Sequence, residues 1–598
     1  NTGTGYHKRH LYVIDPKGRI ALINTPFLQM AADAYTNLGT AVDYPRLNPS
    51  EQRFQFADTL NWTSGKHSWK FGADFATTQD YLNILRNQFG SYNYGTFTDF
   101  AYDFARVQNP SGRAIGYNWQ SFSQTIGNPK LDFTTRDIAL FFQDQFRATQ
   151  KLTVNFGVRW DYSKLPQPSQ INPLYPQTGV INSPKANFAP RMGLAYALNE
   201  KTVIRTGYGV FVARYQGALI QSLFLNNGLY QPNVLLQNGV ATGPSFPNIL
   251  PSNASGLPGG AVNLVIADKN LRNPYTQQWD FAIERQLTAN LGLTVNYLGS
   301  RGVAVFTTRD LNIGAFGAPV TYRIFDAANN QTGTYTTNAY YTANRVDPRF
   351  QRITQIENGG NTYYHGLAVQ MNKRMAKGLQ ASLAYTWSHA IDTANQGGAS
   401  NATFFDTIRS TFNGDYSADK GSSSLDQRHR AVFSAIWEPI YGKNSSNKFV
   451  KWAVANWQLS QITTLATGQP QTTTMRIAGT PFPGAAFNFS LNGLGGSNRV
   501  PYLPFANMQL DNIYRTDARI TKTLPFSERV KAYASFEAFN ISNSQYNTGI
   551  ITEAANFGVV NGVAGIRPSV GLNNGTASQG FPDGTNARRA QVSLRLVF

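Results

Sequence analysis

The chain closes on ARRAQVSLRLVF (587–598). Ala590, Val592, Leu594, Leu596 and Phe598 fall on one side of an extended backbone; Gln591, Ser593 and Arg595 fall on the other. This is the period of two of a β-strand with one apolar and one polar face. The pattern recurs upstream. In KLTVNFGVRWDY (151–162), Leu152, Val154, Phe156, Val158, Trp160 and Tyr162 alternate with polar or small residues. In GLQASLAYTWS (378–388), Leu379, Ala381, Leu383, Tyr385 and Trp387 do the same. In YTQQWDFAIER (275–285), Tyr275, Trp279, Phe281 and Ile283 oppose Thr276, Gln278, Asp280 and Glu284.

Two architectures alternate in this way. A soluble sandwich turns the apolar face inward and uses strands of about 5–6 residues. A membrane barrel turns it outward and needs about 9–11 residues per crossing. The segments here run about 10–13 residues, and Trp and Tyr gather at their ends, as an interfacial girdle requires. Composition agrees. Only 14% of the 598 residues are charged and 13% are aromatic, against roughly 25% charged in soluble domains. No run of 18 apolar residues could form a membrane helix. The absence of cysteine excludes disulfides, thiolate nucleophiles and Cys-ligated metal sites. The reading is an all-β transmembrane antiparallel barrel, with Leu152, Val154, Phe156, Leu379, Leu383, Val592 and Leu594 facing lipid.

Connection lengths test this independently. Bacterial barrels alternate short periplasmic turns with long extracellular loops. Strands are expected near 587–598, 528–542, 509–525, 453–470, 424–440, 378–391, 360–375, 290–300, 275–287, 201–214, 186–197, 151–162, 134–147, 67–77 and 53–61, with a weaker pair near 20–30 and 7–14. Short connections such as 148–151, 198–201 and 375–378 then alternate without a break with long ones such as 78–133, 215–274, 301–359 and 543–586. The total is about 17 strands, whereas a single-chain barrel normally has an even number. The expectation is that residues 1–598 are the C-terminal part of a larger barrel.

LFFQDQFRATQKLTVNFGVRWDY (140–162), NFAPRMGLAYALNEKTVIRTGYGVF (187–211), GNTYYHGLAVQMNKRMAKGLQASLAYTWSHAID (360–392), DQRHRAVFSAIWEPIYG (426–442) and EAFNISN (537–543) resemble the barrel of TonB-dependent receptors, especially the Oar-like group. The resemblance covers roughly 130–598. It implies a 22-strand barrel with a plug in its lumen, a carboxypeptidase-regulatory-like sandwich and a TonB box. The last three are expected to lie outside this sequence. The implied activity is TonB-driven uptake of a bulky solute: an oligosaccharide, a peptide or a siderophore-like compound. A passive porin, an adhesion protein and a protein exporter are the alternatives.

No catalytic, cofactor or metal site is expected. Asp426, Arg428, His429 and Arg430 could suggest a base oriented by a carboxylate, but they read better as a rim where charges pair or meet lipopolysaccharide phosphates. His365 and His389 are similar rim positions, and the six histidines show no ligand spacing. Gly207 and Gly209 lie in a strand and open no phosphate loop. Lumen-facing candidates are Arg159, Asp161, Arg205, Asp280, Glu284, Gln370 and Arg374. The net charge of +19 concentrates near the short turns, at Lys66, Arg147, Lys151, Lys201, Lys377 and Lys531 among others. That suits a rim facing anionic lipid heads better than a nucleic-acid groove, which would need basic residues clustered on one element. The charge pattern thus gives outer-membrane lipid and lipopolysaccharide as expected partners, with no nucleic acid; the resemblance implies the TonB complex, the barrel assembly machinery and an unidentified solute as well. Loops such as SYNYGTFTDFAYDF (91–104) and AANNQTGTYTTNAYYTANR (327–345) either bind that solute or pack on one another. Phe598 resembles the C-terminal aromatic read by the assembly machinery.

Overall fold

A computed structural model describes the chain except residues 1–26, 31–36, 39–48, 84, 238, 240–242, 252–261, 315–317, 339–344, 394–413, 478–498, 528–529, 548, 561–562, 568–572 and 576–587. The expected strand pair near 7–14 and the first part of 20–30 lie outside the described residues.

Fifteen strands follow one another as antiparallel neighbours. They are β1 (Ser50–Ser64), β2 (His67–Asn83), β3 (Lys130–Arg147), β4 (Leu152–Lys164), β5 (Asn187–Asn199), β6 (Thr202–Val212), β7 (Tyr275–Thr288) and β8 (Leu291–Asp310). The series continues with β9 (Phe350–Ala376), β10 (Leu379–Asp392), β11 (His429–Trp437), β12 (Trp457–Ala466), β13 (Ile513–Pro525), β14 (Lys531–Phe539) and β15 (Arg589–Val597). Each coincides with a strand read from the period of two. Phe27–Met30 is different. It runs parallel to Ser91–Tyr94 in a long loop and does not pair with β1.

The short connections all lie at one end of the sheet. Five of them, β1–β2, β3–β4, β5–β6, β7–β8 and β9–β10, are tight or nearly tight hairpins. The turn from β9 to β10 shows why its sequence is Lys-Gly. Lys377 and Gly378 both have positive φ, 51° and 75°, as a two-residue primed turn requires. A Cβ on Gly378 would stand 2.2 Å from the Glu438 carbonyl oxygen. The longest inner connection, between β11 and β12, carries α1 (Lys448–Val454), whose first amides are capped by the Asn447 side chain.

Register settles the faces. Leu152, Val154 and Phe156 lie opposite Tyr196, Leu194 and Met192 on β5. Leu383 pairs with Met371 on β9 and Phe433 on β11. Val592 pairs with Phe536, and Leu594 with Ala534. These side chains form no closed core: Phe156 is 45% exposed, Leu379 37%, Leu594 69% and Val592 80%. The sheet therefore carries a continuous apolar outer surface, the arrangement that lipid rewards and water does not.

Candidate functional site

The opposite face is polar and organised as ion pairs. Arg159 on β4 donates from Nε to both Asp161 oxygens at 2.9 and 3.1 Å, and its Nη2 lies 3.8 Å from Asp74 on β2. Arg205 on β6 reaches Glu284 on β7 at 3.0 Å. Arg515 donates to Asp517 within β13 at 3.0 Å, and Arg519 crosses to Glu537 on β14 at 3.0 Å. Alternation puts each partner on the same side: residues two apart in a strand share a face, and cross-strand neighbours share it too. Asp280 lies opposite Gly207, where a Cβ would stand 2.6 Å from its carboxylate oxygen. Gln370 pairs with Thr294 and Ala384, and Arg374 follows two positions beyond Asn372 on the same face. All seven residues read from the sequence thus lie on this one polar face. Asp74, Arg515, Asp517, Arg519 and Glu537 were not singled out from the sequence. The signal for one pair was available: Arg-x-Asp at 515–517 repeats the spacing of 159–161.

Between the pairs the wall is lined by small and hydroxylic side chains. Ser382 donates to Asn372 at 2.7 Å, and Thr521 and Ser535 share a hydrogen bond of 2.9 Å. Arg191 stacks over the Phe211 ring at 4.6 Å. A groove of about 380 Å³ runs along this wall past Ser382, Ser434, Ser460, Asp517, Arg519 and Glu537.

The long loops pack on one another. Ser91–Tyr94, Ser121–Thr125 and Asn233–Gln237 form a small sheet, and Val262–Ala267 joins Asn233–Gln237 to the outer part of β9. Tyr92, Tyr94, Phe100, Trp119, Phe122 and Val234 are buried together. A second core gathers Leu131, Phe133, Leu219, Leu223 and Val265. At the centre of the first core, Asp103 accepts from Tyr94 Oη at 2.8 Å, from Gly116 N at 2.7 Å, and from Asn118 N and Nδ2 at 2.9 and 2.5 Å. Burial pushes the Tyr92 and Tyr94 phenols far above their usual range, and the Asp103 charge adds to this. In SYNYGTFTDFAYDF, then, the aromatics at 92, 94 and 100 are packing residues.

The rim histidines do not form a relay. Asp426 accepts from the Ala390 amide at 2.7 Å, while His429 Nδ1 bonds to Tyr385 Oη at 2.9 Å. His365 bonds to Tyr297 Oη at 2.8 Å, and His389 to Ser422 Oγ at 3.2 Å. Among the described residues, no group of three His, Asp or Glu could hold a metal ion.

Residues 13–567 match the outer membrane β-barrel domain family. The chain belongs to that family. It is a protein of the bacterial outer membrane and not an enzyme. Among solved structures it is similar to the outer membrane transporter YddB of Escherichia coli. That likeness has a TM-score of 0.50 and 10% identity, and covers 96% of this chain and 57% of the transporter. It is also similar to the ferric enterobactin receptor of Pseudomonas aeruginosa, with a TM-score of 0.46 and 12% identity, over 92% of this chain and 54% of that one. At 10% identity the likeness to YddB concerns the fold alone, and the chain spans a little over half the length of either protein. No curated protein matches the sequence.

Proposed function

We propose that the barrel is the conduit of a TonB-dependent transporter that takes up a bulky polar solute. The observation that carries this is the polar face. Fifteen strands make a wall too wide for side chains to fill, since eight strands already suffice for that. In a barrel the apolar face must meet lipid, which leaves the polar face for the lumen. Arg159, Asp161, Arg205, Asp280, Glu284, Gln370 and Arg374 then line the passage. Their acids and bases largely neutralise one another, and serine and amide groups lie between them. Such a wall offers hydrogen bonds to a polar solute without a strong field that would hold it.

The same reading makes residues 1–598 the C-terminal part of the transporter. Among the described residues β1 pairs only with β2, and β15 only with β14. An edge left unpaired in hydrocarbon would cost several kcal/mol per lost backbone bond, and a closed barrel avoids that cost. A plug, a TonB box, a regulatory-like sandwich and the Oar-like affiliation belong to this proposal, as does recognition of Phe598 by the assembly machinery. The test is to delete the gene and compare the uptake of labelled oligosaccharides, peptides and ferric chelates with and without a proton-motive force. Loss of one energy-dependent uptake supports the reading. Uptake that survives collapse of the force would make the protein a passive pore.

A further inference from the structure

The apolar wall of β7–β11 changes character along its strands in a fixed order. Leu293, Met371, Leu383 and Phe433 form one cross-strand row. Four residues farther from the short turns comes an aromatic row: Phe281, Tyr297, Trp387 and His429, with Leu367 between them. Two residues farther, Trp279 lies opposite Gly299, and His365 is paired directly with His389. A Cβ on Gly299 would stand 2.1 Å from the Trp279 ring, so the glycine lets the indole lie against the sheet. Two residues farther again, Arg301 is paired with Tyr363. The Arg301 guanidinium lies 5.6 Å from the centre of the Tyr363 ring, and the Lys420 ammonium 5.9 Å from the same ring.

Two facts single out this last row. On the polar face, Arg159, Arg205, Arg515 and Arg519 each meet a carboxylate within about 3 Å. Among the described residues, Arg301 and Lys420 meet none, and both are exposed. Two cations held on one ring without a counter-charge repel each other and gain from an anion placed between them. The second fact is depth. Arg301 stands four residues beyond Tyr297, or about 13 Å along a strand at ~3.3 Å per residue. With a strand tilt of about 40° that is roughly 10 Å above the aromatic girdle, at the level of the headgroups.

The geometry points to a binding site for a phosphorylated glycolipid of the outer leaflet, of the lipopolysaccharide type. Its phosphate sits between Arg301 and Lys420, a sugar ring lies against Tyr363 and the Trp279 indole, and its acyl chains run down over Leu367 and Met371. Amphipathic rings at this level suit a ligand whose head is wet and whose tails are not. The inference rests on the apolar-face assignment and not on transport, so it stands or falls independently of the solute.

The test uses the full-length protein in detergent and four probes: rough-type lipopolysaccharide, its enzymatically dephosphorylated form, phosphatidylglycerol and inorganic phosphate. Binding is read by native mass spectrometry. The double variant Arg301→Gln/Lys420→Gln should lose about tenfold in affinity for lipopolysaccharide. The charge-matched control Lys151→Gln/Lys201→Gln, at the opposite end of the barrel, should lose none. Dephosphorylated lipid should bind the unaltered protein about as weakly as intact lipid binds the double variant. Equal losses in the two doubles, equal binding of the dephosphorylated lipid or of phosphatidylglycerol, or displacement by millimolar inorganic phosphate would each overturn the proposal.

Discussion

Asp103→Ala should loosen the loop cap while leaving the barrel intact. Asp103 is 1% exposed, and Tyr94 and Asn118, which donate to it, are fully buried. The substitution strands four donors at once: Tyr94 Oη, Gly116 N, Asn118 N and Asn118 Nδ2. About 1 kcal/mol for each buried donor left unpaired gives roughly 4 kcal/mol. At ~1.4 kcal/mol per decade, local opening becomes about a thousandfold more frequent. Asp103→Asn should cost less, because one oxygen still accepts and the Tyr94 hydroxyl can rotate to receive the new amide. Asn118 N, which can only donate, remains stranded. The measurement is hydrogen–deuterium exchange on detergent-solubilised protein, comparing segment 91–126 with strands β4 and β10. Exchange in 91–126 should accelerate steeply in the alanine variant and less in the asparagine variant, while strand amides stay protected. Unchanged exchange in 91–126 would refute the role given to Asp103. Equal acceleration in the strands would refute the independence of cap and barrel.

Gly378→Ala should reduce the folded fraction seen as heat-modifiable mobility, because a Cβ at positive φ meets the Glu438 carbonyl; strain of this kind costs about 1–3 kcal/mol. A double-mutant cycle on Arg205 and Glu284, both about half exposed, should return a coupling of only about 0.2–1 kcal/mol in urea titrations. The Arg349 guanidinium hydrogen-bonded to Asp347 holds that carboxyl down at about 2. Against an unfolded value near 3.9, a depressed carboxylate contributes stability that is complete above about pH 4 and fades as pH falls toward 2. Limited proteolysis of the loop before β9 should therefore rise across that window in the parent and much less in Asp347→Asn. Deleting Phe598, which is 96% exposed at the end of β15, should lower the amount of inserted barrel while transport per inserted molecule stays nearly constant. Normal insertion of the truncated chain would reject the assembly role.

The barrel was legible because its signal is local and repeated. In 151–162 or 378–388 a single strand shows both faces, and the side-chain period is fixed by backbone geometry. Short turns such as Lys377–Gly378 then place neighbouring strands in order. The ion pairs were only half legible. Arg159 and Asp161 are two apart in one strand, but the contact of Arg159 with Asp74, or of Arg519 with Glu537, depends on register between strands. The cap was not legible. Its core joins Tyr92 and Trp119 from the connection between β2 and β3 to Val234 and Leu250 from the one between β6 and β7, and its strands are four to six residues long. Segments that short do not distinguish packing from ligand binding in the sequence; the contacts show packing for Tyr92, Tyr94 and Phe100. The rim cluster at 426–430 reads the same way in sequence and structure as far as its charges go: Arg428 lies 3.5 Å from Asp426, while the partners of His429 and of the second Asp426 oxygen, a tyrosine and a backbone amide, come from the neighbouring strand β10.

The order of residues along β10 and β11 also sets a length. Leu379 lies opposite Trp437 near the short turns, and Trp387 lies opposite His429 at the other end of the same pair. Eight residues at ~3.3 Å span about 26 Å along the strand, or roughly 20 Å of height at a 40° tilt. That is a short hydrophobic belt, matched to a bilayer thinner than the ~30 Å hydrocarbon core of an average membrane. A thicker bilayer would have to thin around the whole circumference, at a fraction of a kcal/mol per Å of mismatch for each segment of the wall. Along this strand pair the spacing of Trp387 and Trp437 thus suits a thin bilayer, and hydrophobic matching there would favour the outer membrane over a thicker one.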